Sequence, residues 1–98
     1  MSDTITIKTV KLSASLRDLA GAKAVDVQVQ ENATARDLLL ALAQAHPELG
    51  ERVLDADGQL GSGIQFMVGG RHIQWLQGLD TPVADARDFL LIPPISGG

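Results

Sequence analysis

The order of apolar and polar positions predicts the elements of this chain. Residues 5–12 set Ile5, Ile7, Val10 and Leu12 among Thr6, Lys8, Thr9 and Lys11, mostly in alternation. A period of two marks a half-buried strand. Ile5, Ile7 and one of the later apolar pair are expected to face inward, and Thr6, Lys8 and Lys11 outward, with a slip near Val10. Residues 13–21 read as a short helix, with Ser13 as its N-cap, Leu16, Leu19 and Ala20 on one face, and Gly21 as its stop. Val25, Val27 and Val29 then alternate with Asp26, Gln28 and Gln30, which predicts a second strand antiparallel to the first. Glu31-Asn32-Ala33 is a turn.

Thr34 opens the best-defined helix. Asp37 follows at the capping-box position, with Asp in place of the usual Glu or Gln. Leu38, Leu42 and Ala45 make one stripe with Leu39 beside it. His46 precedes Pro47, where a helix usually ends, and Pro47 can begin another helical turn reaching Val53-Leu54. Residues 55–63 hold Gly58, Gly61 and Gly63 and predict a loop. Residues 64–68 and 71–76 predict a hairpin about Gly69-Gly70. Residues 77–87 form an irregular connection with one turn around Thr81-Pro82. The final strand, 88–92, carries Phe89-Leu90-Leu91-Ile92 and is expected to be central and buried on both faces.

These elements make one α+β domain: a mixed sheet of about five strands packed on one main helix. The first and last strands are expected to lie side by side and parallel at the centre of the sheet, which is a β-grasp arrangement. Residues 1–92 are expected to form the β-grasp domain and 93–98 a flexible C-terminal Gly-Gly tail.

Composition narrows the function. Of the 98 residues, 45% are hydrophobic and 20% charged, which suits a folded domain with a modest core. The net charge is −4 with no basic cluster, so neither nucleic acid nor an anionic membrane surface is an expected partner. No apolar run approaches the length of a membrane span, and no signal-peptide pattern opens the sequence; a cytoplasmic location is expected. The chain has no cysteine, which excludes a disulfide, a thiol nucleophile or thiolate metal ligands of its own. Asp55-Ala56-Asp57-Gly58 begins like a calcium loop, but Phe66 stands where the bidentate glutamate belongs. His46 and His72 have no partner at metal-ligand spacing, and Gly61-Ser62-Gly63 lacks the Gly-Lys-Ser/Thr ending of a phosphate loop. No bound metal or cofactor is expected.

The tail is the chemical feature. Pro93 and Pro94 remove two backbone donors and end the last strand. Ile95, Ser96, Gly97 and Gly98 follow. Six extended residues reach roughly 20 Å, enough to enter a cleft in another protein. Gly97 and Gly98 have no side chain to obstruct a narrow channel, and the terminal carbonyl is open to attack. A frayed chain end is the alternative.

At this point the sequence resembles the ubiquitin-like sulfur carriers of the MoaD and ThiS type, together with the archaeal ubiquitin-like modifiers. Leu16-Arg17-Asp18-Leu19-Ala20-Gly21 resembles the early helix of that family. Gly70-Arg71-His72-Ile73 with Gln77-Gly78-Leu79-Asp80-Thr81-Pro82-Val83 resembles its hairpin and following turn, and Ile92-Pro93-Pro94-Ile95-Ser96-Gly97-Gly98 its tail. Two turns depart from the pattern: Asp85-Ala86-Arg87-Asp88 replaces an Asp-Gly-Asp turn, and Gly69-Gly70 replaces Asn-Gly. The resemblance implies that an ATP-dependent partner, similar to ubiquitin-activating enzymes, adenylates Gly98. A sulfur donor then leaves a thiocarboxylate, which passes sulfur to an acceptor enzyme such as the large subunit of molybdopterin synthase. It also implies that the chain is a carrier, with no catalytic residues of its own and ATP used only by the partner. Conjugation of Gly98 to target lysines is the alternative, as is sulfur delivery toward thiamine, cysteine or another metabolite.

A partner must also grip the body. Gln65 and Met67 alternate with Ile64, Phe66 and Val68, as Phe89 and Leu91 do with Leu90 and Ile92. Met67, Leu91 and Ile95 are the interface candidates, with a core position the alternative for Met67. Trp75 is expected in the core, with an interface anchor as its alternative.

Overall fold

A computed structural model describes residues 4–94. Eight regular elements appear in it: β1 (Ile5–Leu12), α1 (Ser15–Ala20), β2 (Ala24–Gln30), α2 (Ala35–Ala45), α3 (Pro47–Val53), β3 (Gln65–Val68), β4 (Arg71–His72) and β5 (Phe89–Ile92). The strands form one mixed sheet in the order β2-β1-β5-β3-β4. β1 runs antiparallel to β2, from Ile5↔Gln30 to Lys11↔Ala24, and parallel to β5, from Val10↔Phe89 to Leu12↔Leu91. β5 also pairs antiparallel with β3, from Gln65↔Ile92 to Val68↔Phe89. The first and last strands are therefore neighbours at the centre, as the β-grasp reading requires. The β3–β4 hairpin turns through Gly69 and Gly70, whose φ of 62° and 83° suit a two-residue turn whose twist matches the strands.

α2 begins where its sequence says it should. The Asp37 N–H donates to Thr34 Oγ1 at 3.4 Å, and the Thr34 N–H donates back to Asp37 Oδ2 at 3.0 Å. Ala35, Leu38, Leu39 and Leu42 are buried along its inner side. Pro47 starts α3 directly afterwards. The two helices touch so closely that a Cβ on Gly50 would stand 2.6 Å from the Cβ of Ala43. α1 ends as expected: Gly21 is left-handed, and its N–H donates to the Arg17 carbonyl at 2.9 Å. Its start differs from expectation. Ala14, at φ 52°, takes the N-cap position in place of Ser13, with no side-chain cap bond.

Three further expectations are corrected. Ile5 and Ile7 are 54% and 60% exposed, while Val10 and Leu12 are buried. Strand parity is all or nothing: once Val10 and Leu12 enter the core, Ile5 and Ile7 must face the other way. Thr6 and Lys8 then share the inner face, and Lys8 Nζ donates to the carbonyls of Ala84 at 2.9 Å and Ala86 at 3.3 Å. β4 stops at His72. A 3₁₀ turn, Ile73–Trp75, follows, started by the Gln74 N–H donating to His72 Nδ1 at 3.2 Å. Trp75 therefore leaves the core and is 75% exposed. β5, finally, is covered on one face only: Phe89 and Leu91 are buried, Leu90 and Ile92 half-buried.

The connection from β4 to β5 contains a second 3₁₀ turn, Gly78–Asp80, and is stitched to the start of α2. The Ala35 N–H donates to the Thr81 carbonyl at 2.8 Å, and the Val83 N–H to the Ala33 carbonyl at 3.1 Å. Buried Thr81 satisfies its own hydroxyl by donating to the Gly78 carbonyl at 2.6 Å.

Candidate functional site: the root of the tail and the outer sheet face

The tail leaves from the middle of the sheet. β5 pairs with β1 through Leu91 and with β3 through Ile92, so the strand that leads to the tail is held from both sides. Pro93 is half-buried and Pro94 exposed. Neither can donate to a ladder, and pairing ends at Ile92↔Gln65. A groove of about 420 Å³ opens beside this root, with Ser15, Leu16, Arg52, Leu54 and Ile64 in its walls and Pro93 and Pro94 along it. Ile95, Ser96, Gly97 and Gly98 lie outside the described residues.

Strand register shows what a partner at the root would meet. Lys11 is opposite Leu90, Leu90 opposite Met67, and Met67 opposite His72, so these four make one row across four strands. Ile92 and Gln65 make the next. Met67, Leu90 and Ile92 are each half-buried on this outer face. Leu91, an interface candidate from the sequence, points the other way and is 0% exposed. It sits in the core with Phe66 and Phe89, whose rings lie 6.1 Å apart. The apolar side chains that β5 turns to the outer face are instead Leu90 and Ile92. The alternation that separates them from Phe89 and Leu91 was legible; which set the helices cover was not.

Elsewhere the described residues offer little chemistry. No three His, Cys, Asp or Glu side chains among them come together as a metal site. A depression of about 430 Å³ beside the hairpin has His72 as its only ionisable group, among Gln65, Ile73, Gln74 and Leu79. None of the described helices is long and apolar enough to cross a membrane.

The model of the ThiS family matches residues 10–98, a span that takes in most of the sheet and the whole of the tail. The chain belongs to the ThiS family. Within that relationship it is 39% identical over 88 residues to small archaeal modifier protein 1 of Haloferax volcanii, covering 90% of this chain and 97% of that protein. It is 31% identical over 68 residues to a putative sulfur carrier protein of Archaeoglobus fulgidus, covering 69% of this chain and 77% of that one. A crystal structure of SAMP1 from Haloferax volcanii superposes with a TM-score of 0.81 at 36% identity, covering 95% of this chain and all of that one. The ThiS-family chain thus shares its β-grasp body with small proteins that include named modifiers and a named carrier.

Proposed function

We propose that this protein is a sulfur carrier whose reactive group is the C-terminal carboxylate of Gly98. One observation carries the reading: the family match spans residues 10–98, from within β1 through Gly97-Gly98. An activating enzyme would place that carboxylate against ATP. A carboxylate oxygen attacks the α-phosphorus, an acyl–phosphate bond forms, and pyrophosphate leaves. The carboxylate alone is a poor electrophile because oxide is a poor leaving group; the adenylate offers AMP instead. Hydrosulfide attacks the carbonyl carbon, the C–S bond forms, the C–O bond to AMP breaks, and a thiocarboxylate remains. No electrons change hands. The sulfur then goes to an acceptor, for which the large subunit of a molybdopterin synthase is the leading candidate. Water restores the carboxylate.

In this reading the chain is a co-substrate working in the cytoplasm. The activating enzyme binds ATP, and this chain binds no cofactor. Its outer sheet face is the surface the activating enzyme grips. Leu90 and Ile92 belong to the strand that leads into the tail, and Met67 is beside Leu90 on the neighbouring strand. An enzyme that draws Gly98 into its active site brings its surface toward the end of that strand. Half-buried apolar side chains there suit a contact core, flanked by the polar ends of Lys11 and His72.

A second reading has its own support, since the 39% identical relative is a named modifier. In it a target lysine amine attacks the same adenylate, giving an isopeptide and AMP. The intact mass of protein purified from its native cells separates the two. Incubation with ATP, sulfide and the activating enzyme should add the difference between one sulfur and one oxygen, localised to Gly98 and absent when Gly98 is deleted. No shift with a competent activating enzyme refutes the carrier reading. High-mass conjugates that vanish on deleting Gly98 establish the modifier reading.

A further inference from the structure

Two sets of contacts meet at the root of the tail. Gly63 has φ +77°, and a Cβ built on it would stand 2.5 Å from the Cβ of Pro94 and 3.4 Å from its Cα and Cγ. The first distance is closer than carbon atoms approach, so the Gly63 backbone lies against the Pro94 ring with no room for a methyl group. The turn that carries Gly63 is itself anchored to the end of α3. The Gly61 N–H donates to the Val53 carbonyl at 2.7 Å, and the Ile64 N–H closes the turn on the Gly61 carbonyl at 3.0 Å. A Cβ on Gly61 would meet the Arg52 carbonyl at 2.8 Å, and Leu54 bridges Leu60 across the loop. On the strand's other flank, the Ser13 N–H donates to the Leu91 carbonyl at 3.2 Å. Pro94 therefore rests on a surface whose position is fixed by α3, and its own ring fixes φ.

We propose that the turn at 61–63 is a positioning element for the tail, with Gly63 setting the direction in which the chain leaves Pro94. The inference rests on the reading of Gly98 as the activated residue, and Gly63 would act on it through Pro94 without touching the reacting atoms. Leverage makes the direction matter. Gly98 is the fourth residue after Pro94, roughly 13 Å away when extended, so tilting the root by about 20° carries the tip about 4 Å off line. A partner's cleft must then draw the tail back before chemistry begins. That cost falls on productive binding more than on the chemical step. Backbone conformation alone does not explain this glycine's surroundings. Gly58 and Gly70 also have positive φ, +76° and +83°, but a Cβ on either would meet nothing within 4 Å.

The contrast supplies the control. The full-length chain is assayed with its activating enzyme by ATP–pyrophosphate exchange. Gly58→Ala carries the same left-handed strain as Gly63→Ala but touches nothing, so it should lower the melting temperature and leave both kcat and KM within about twofold. Gly63→Ala should raise KM about tenfold with kcat within about twofold. Pro94→Gly removes the ring that would collide, so adding Gly63→Ala to it should raise KM no further. A Gly63→Ala variant with the KM of Gly58→Ala, or a double variant in which the two effects multiply, overturns the inference. Wild-type protein that supports no exchange with a competent enzyme overturns the functional reading instead. The positioning role is then judged by NMR: the Ile95 and Ser96 amide shifts should move in Gly63→Ala and stay fixed in Gly58→Ala, and unmoved shifts refute it. Should Gly63→Ala not fold, the wild-type nuclear Overhauser contact between the Gly63 Hα and the Pro94 ring decides, and its absence refutes the proposal.

Discussion

Replacing Leu91 by alanine, beside Leu90 by serine, asks which face of the central strand is core. The two residues are adjacent in β5, yet Leu91 is 0% exposed and packed with Phe66 and Phe89, while Leu90 is half-buried on the outer face. Leu91→Ala removes three buried carbon atoms from the centre of a five-stranded sheet, where hydrogen bonds on both sides limit collapse around the void. Transfer and cavity terms together predict a loss of about 3 kcal/mol. For a domain of this size that lowers the melting temperature by about 15 °C. Leu90→Ser leaves no internal cavity and should cost about 1 kcal/mol or less. Urea denaturation followed by circular dichroism gives both values. Pyrophosphate exchange at a temperature where both variants are folded gives the second half of the contrast: Leu90→Ser should raise KM for the activating enzyme, and Leu91→Ala should leave it near wild type. Equal loss of stability in the two variants, or a Leu91→Ala cost below about 1 kcal/mol, would refute the assigned parity of β5.

Three more outcomes follow from individual contacts. Thr34→Ala removes the side-chain half of the capping box on α2 and should cost about 1 kcal/mol in urea denaturation; an unchanged midpoint would show that Asp37 caps the helix alone. Lys8→Met keeps the aliphatic stem but deletes both bonds from Nζ to the carbonyls of Ala84 and Ala86, for an expected loss of about 1–2 kcal/mol. Hydrogen exchange should locate the extra opening in residues 84–88, and protection unchanged there would sink the explanation. Trp75, the single tryptophan, should emit in the folded protein nearly as it does in urea and be quenched freely by acrylamide; a blue-shifted, protected emission would return it to the core.

The contrast between legible and illegible features has a physical basis. What the sequence by itself determined is local or strictly periodic. Val25, Val27 and Val29 declare a strand because alternation carries its own register of faces, and Thr34 with Asp37 declares a helix start because the capping bonds span only three residues. Gly69-Gly70 names its turn through backbone freedom alone, and Gly21 its helix stop. The apolar run before Pro93 was enough to put β5 in the middle of the sheet. Tertiary structure decided everything that depends on which face meets the helices. Ile5 and Ile7 look like core residues until Val10 and Leu12 claim the inner face, and Leu90 and Leu91 cannot be told apart until one of them meets Phe66. Trp75 looks like strand until His72 accepts the Gln74 N–H and turns the chain into a 3₁₀ turn. Gly63 reads as loop punctuation until Pro94, 31 residues further along, comes to lie against it. A close approach between distant residues leaves no period in the sequence, because the three-dimensional path that creates it is set by the packing of the whole sheet.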